Sequence, residues 1–122
     1  MLKILLFAAF AIGSLTRTQE LDSWYRGYNE TYFQNQLPAA VITRDLRDDR
    51  LMAYTEQANG YFHIAFNPKY NVSTKQERLT LLHEQCHIWV SVNEENEFDD
   101  HGPNWQHCMH SLSDRGAMEP LW

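Results

Sequence analysis

The chain has 122 residues, enough for one domain with a buried core. Apolar residues make up 43% and charged residues 21%, which excludes disorder as the main state. The net charge of -6, without a lysine-rich patch or a basic tail, excludes an electrostatic footprint for nucleic acid and leaves a solvated acidic surface.

Residues 1–15 open with one lysine and an apolar run from Ile4 to Ile12. Ala11 and Gly13 are small residues at a spacing that a signal peptidase accepts, and the run is too short to span a bilayer. The segment reads as a short secretory signal or N-terminal extension, or as an element packed on the domain. The compartment, cytoplasmic or exported, stays open on this reading, as does the oligomeric state. The domain proper is expected over residues 16–122.

Thr16 with Gln19 forms a capping box, which predicts a helix from Thr16 to Gln36. Leu21, Trp24, Tyr25, Tyr28 and Tyr32 give it one aromatic face for the core. Leu37-Pro38 ends it. Ala40 to Arg44 is short and β-branched, so a strand is expected, followed by a charged loop to Arg50. Leu51 to Thr55 and Tyr61 to Phe66 flank Asn59-Gly60, a pair suited to the positive φ angles of a tight hairpin turn. A small antiparallel sheet is expected here, with His63 in an ordinary hydrogen bond.

Ser73 and Gln76 form a second capping box, opening a helix to about Val92. Leu79, Leu82, Cys86 and Val90 make its apolar stripe, so Cys86 reads as a small buried hydrophobe. Glu94 to Asp100 breaks the pattern as an exposed acidic loop. Pro103 suits the first position of a last helix to about Asp114, ended by Gly116. If that helix packs on the preceding one, Cys86 and Cys108 come close. Two reduced thiols are then expected inside a cell, and a disulfide in an exported protein.

His83 and His87 lie four residues apart on one helix face and can hold one zinc ion, while Glu84 can reach a water beside it. This is the HExxH arrangement of zinc hydrolases, in which the metal polarises water and carbonyl and the glutamate takes the proton. Catalytic zinc needs a third protein ligand and one open position. His101 is the candidate, brought back by the acidic loop and fixed by Gly102-Pro103. His107, His110 and a carboxylate from Glu94 to Asp100 are rivals. Tyr54, Tyr61 and Tyr70 are candidate donors to a transition-state oxyanion.

His83-Glu84-Gln85-Cys86-His87, the acidic loop, and His101-Gly102-Pro103-Asn104-Trp105 resemble the SprT-like metallopeptidase family, which includes bacterial SprT proteins and the protease core of Spartan. The earlier chain follows the same order, with an aromatic first helix ending in Tyr32-Phe33 and Leu37-Pro38, a strand, then Gly60 and Phe62 to Pro68. The resemblance spans Thr16 to Gly116. It implies an α+β, zincin-like single domain whose small sheet packs on helices including the HExxH helix. It implies zinc on His83, His87 and His101, Glu84 as general base, and a polypeptide substrate. The strand Tyr61 to Phe66 is then expected to offer its edge to an extended peptide. Neither the cysteine-rich zinc ribbon of many relatives nor the DNA-binding segments of Spartan-like proteins is legible in this chain, so crosslink repair is not carried over. A zinc-binding interaction module without turnover is the alternative from another class, and a hydrolase of non-peptide amides is a third reading.

Overall fold

A computed structural model describes residues 15–94 and 100–121. Among these, the chain forms α1 (Arg17–Phe33), β1 (Ala40–Thr43), β2 (Ala53–Ala58), β3 (Tyr61–Phe66), α2 (Thr74–Asn93), α3 (Pro103–Asp114) and a closing 3-10 turn (Glu119–Leu121). This is the expected α+β arrangement. The apolar run from Ile4 to Ile12 and most of the acidic loop, residues 95–99, lie outside the described residues. No helix among the described residues is long and apolar enough to cross a membrane.

The Thr16–Gln19 capping box closes in both directions and starts α1. The helix stops at Phe33, short of Gln36, because Gln34 and Asn35 turn left-handed, with φ of 51° and 59°. Asn29 secures this exit by bonding the Leu37 carbonyl at 3.0 Å and the Leu37 amide at 3.1 Å. Leu21, Tyr25 and Tyr28 are buried as expected. Trp24 is not: it stays 40% exposed, and its ring is covered by the Arg78 guanidinium at 3.5 Å.

The sheet is mixed rather than antiparallel. β3 lies in the middle, antiparallel to β2 and parallel to β1. The hairpin is where the Asn59-Gly60 pair places it, although only Gly60 takes a positive φ, 78°. β1 pairs in parallel because the charged loop after it passes the end of β3 to the far edge. The Leu46 amide bonds the Phe66 carbonyl on the way at 3.3 Å. Both sides of β3 are therefore occupied, and the expectation that Tyr61 to Phe66 presents a free edge is overturned. The outer strand nearest α2 is β2. Two buried asparagines fix its start. Asn67 bonds the Asp48 and Leu51 carbonyls at 3.0 Å, and Asn71 bonds the Met52 carbonyl at 2.9 Å.

α2 is the central helix. Ser73 caps it by accepting from the Gln76 backbone N–H, but the expected box closes only on this side, since the Gln76 side chain donates to Thr80 instead. Its first-turn Glu77 is only 2% exposed and pairs with Arg44 from the end of β1 at 2.9 Å and with Arg17 from α1. One buried carboxylate thus ties three elements together, an arrangement whose loss leaves charge uncompensated. The buried stripe differs from the expected one, since Leu79 and Val90 are only half-buried. Leu81 and Ile88 are as buried as Leu82 and Cys86, because α2 packs against α1, α3 and the sheet at once.

Cys86 is not a free hydrophobe: it forms a disulfide with Cys108, joining α2 to α3 with Cα atoms 5.8 Å apart. The bridge closes a 22-residue separation that includes the acidic loop. Loop-closure entropy for that span predicts a loss of about 3 kcal/mol when both cysteines become alanine. Denaturant unfolding of the double variant under non-reducing conditions checks the value. An unchanged midpoint would show that the bond does not constrain the unfolded chain.

Candidate metal centre

His83 and His87 project from the second half of α2, one turn apart, as their spacing requires. His101 comes from the turn before α3, where Gly102 is the N-cap and Pro103 begins the helix. The Gln106 side-chain amide donates to the His101 carbonyl at 2.8 Å and holds that turn. Trp105 binds the two segments together, since its Nε1–H donates to the His83 carbonyl at 3.2 Å. Its ring stacks on His87 and meets His83 and His101 edge-on, at centroid distances of 5.5, 4.7 and 4.5 Å.

The three rings turn their Nε2 atoms toward one point. Nε2 of His83 lies 3.2 Å from Nε2 of His87 and 3.2 Å from Nε2 of His101. Two nitrogens held tetrahedrally by zinc at its usual bond length sit roughly 3.3 Å apart, so both pairs that include His83 match that spacing. All three ligand atoms lie within 4.8 Å of one another, and together they could hold a metal ion. Burial, then the neighbouring His87 and His101, pulls the His83 pKa down to about 4. Burial and His101 lower His87. Neutral imidazoles with free lone pairs are the form a metal binds.

Glu84 sits on the neighbouring wall, 4% exposed, and accepts a hydrogen bond from Thr55 Oγ1 at 3.0 Å. Burial pushes its carboxyl up to about 7, partly offset by the Thr55 bond, while the charge of Asp100 pushes it further up. Glu84, the three histidines, Thr55 and Asp100 line one cleft of about 540 Å³ beside β2.

His107 and His110 are exposed on α3 and outside the histidine cluster, and Cys108 is taken by the disulfide. Asp100 lines the cleft without joining the cluster. The carboxylates of residues 95–99 lie outside the described residues. Of the three tyrosines, Tyr70 donates to the Asp49 carbonyl at 2.5 Å, and Tyr61 is exposed at the hairpin. Tyr54 lines the cleft. Thr55 points toward α2, so strand alternation sends the Tyr54 ring to the other face, where it packs edge-on against His63. His63 itself is engaged as expected, with Thr43 at 2.8 Å and Glu56 at 3.2 Å.

Thr55 and the bracing role of Trp105 were missed in the sequence. Trp105 stood in the quoted segment after His101, where an aromatic two residues into a helix is a local signal. Thr55 carried none, since its role depends on strand β2 facing α2.

An α+β domain whose central helix and a following turn converge three histidines beside a buried glutamate defines a candidate metal-dependent protein. The SprT-like family matches residues 21–120, and the chain belongs to that family. No curated protein matches the sequence significantly.

Proposed function

We propose that the chain is a zinc-dependent peptidase with a zincin-like centre, in which His83, His87 and His101 hold Zn²⁺ and Glu84 is the general base. One observation carries the reading. His83 Nε2 lies at zinc-like spacing from Nε2 of both His87 and His101, on a cleft that also holds a buried carboxylate. When bound, zinc supplies polarisation of a water and of the scissile carbonyl. Trp105 keeps the three imidazoles in register. Glu84, raised toward neutral pH by burial, is matched to taking a proton and returning it to the leaving amine. Thr55 holds the carboxylate at Oε2 and leaves Oε1 for the proton. β2, an outer strand bordering the cleft, can pair with an extended polypeptide, a role β3 cannot fill.

The alternative of an interaction module that binds zinc without turnover is less well supported. Structural zinc is usually closed by four protein ligands, and the cluster among the described residues has three. The Cys86–Cys108 disulfide and the apolar run from Ile4 to Ile12 favour an exported protein over a cytoplasmic one.

Incubating metal-free and zinc-reconstituted protein with an unfolded polypeptide, and reading new termini by mass spectrometry, tests the proposal. Cleavage is expected only with zinc and should stop on chelation. A reconstituted protein with one zinc per chain that cuts no member of a diverse unfolded set would favour the interaction module.

A further inference from the structure

Next to the polar cleft lies a second hollow of about 710 Å³. The two share Ala53, His83 and Glu84, so the hollow opens where the chemistry of the proposed site would occur. Its walls differ in kind. Met52 comes from the chain entering β2, Leu79 from α2, Met109 from α3, and Met118 from the segment after Gly116. Three of the four methionines in the chain line this one hollow. Its two neutral polar side chains are engaged with internal partners: the Thr80 hydroxyl donates to Asn71 Oδ1 at 2.7 Å, and the Gln76 side-chain amide donates to Thr80 at 3.3 Å. Away from His83 and Glu84, no charged group among the described residues lines it.

We infer that this hollow is the specificity subsite of the centre and takes a large apolar side chain, such as leucine, methionine or phenylalanine, from the residue flanking the scissile bond. The inference rests on the peptidase reading. A peptide strand added to β2 points alternate side chains toward α2, so one side chain beside the cleaved bond drops into the hollow. Unbranched, polarisable methionines adapt to several apolar shapes and give no partner to a charge. The subsite therefore selects apolar character rather than one residue.

The test uses the full zinc-reconstituted chain with ¹³C-methyl methionine, observed by NMR. It is titrated with the hydroxamates of N-acetyl-leucine and N-acetyl-glycine. The leucine compound is expected to shift the methyls of Met52, Met109 and Met118 well beyond the glycine compound. In parallel, peptides differing only beside the scissile bond should show leucine preferred over alanine by roughly tenfold or more in kcat/KM. Met52→Glu, at a side chain already 45% exposed, should keep the fold and reduce that preference about tenfold. Equal methyl shifts with both hydroxamates, or cleavage indifferent to the flanking residue, would overturn the subsite while leaving the peptidase reading intact. Selective methyl shifts without cleavage of any peptide would keep an apolar binding site and remove the peptidase reading instead.

Discussion

Glu84→Gln is expected to keep about one zinc per chain and to lower peptide hydrolysis by roughly 10²–10⁴-fold. The amide is isosteric and still offers an acceptor to Thr55, so the cleft wall is retained. What it cannot do is accept a proton. The same variant has a second signature in the metal-free protein. Burial raises the Glu84 carboxyl from its ordinary 4.5 to about 7, so between those values the folded chain holds a proton that the unfolded chain has released. The stability this contributes is full below pH 4.5 and is lost as the pH rises through 7. Glutamine does not titrate. Metal-free Glu84→Gln should therefore gain on metal-free wild type across this window, by on the order of 3 kcal/mol. Denaturant titrations at about pH 4 and about pH 8 read the difference, beside elemental analysis and peptide cleavage of the zinc-loaded form. Normal turnover would remove Glu84 from the general-base role. A stability difference that ignores pH would show that the carboxyl is not desolvated.

His101→Ala should separate metal binding from folding. Changing groups that merely orient a ligand typically costs 10–100-fold in metal affinity, so deleting a direct ligand should cost at least about a hundredfold. His101 is exposed on a turn, unlike the half-buried His83 and His87, so the stability of the metal-free protein should change by less than about 1 kcal/mol. Its imidazole also lowers the pKa of both partners, so their titration should move upward in the variant. Zinc competition with a chromophoric chelator, read beside thermal unfolding of the metal-free proteins, gives both quantities. His107→Ala and His110→Ala should bind zinc as wild type does. Zinc affinity unchanged in His101→Ala would move the third ligand to the acidic loop or Asp100.

What the sequence determined by itself was local. His83 and His87 share a helix face, with Glu84 beside it, because 3.6 residues make a turn, whatever surrounds the helix. The caps at Thr16 and Ser73, the turn at Asn59-Gly60 and the start of α3 at Pro103 are likewise properties of a few adjacent residues, and each appears in place. His101 was legible as a candidate because a specific segment follows the motif at short range.

Only the tertiary structure decided what depends on distant partners. The parallel pairing of β1 has no signature in Ala40 to Thr43, since the same β-branched residues suit either direction; the route of the loop past Phe66 set it. That routing also closed both edges of β3 and left β2 beside the cleft. Trp24 obeys the helical period yet stays outside, because Arg78 on another helix covers it. Cys86 fits an apolar stripe equally well as a thiol or as half of a disulfide, and only the approach of α3 brings Cys108 within bonding range. Thr55 meets Glu84 for the same kind of reason. A helix face records its own period, but not which strand, ring or sulfur the fold will set against it.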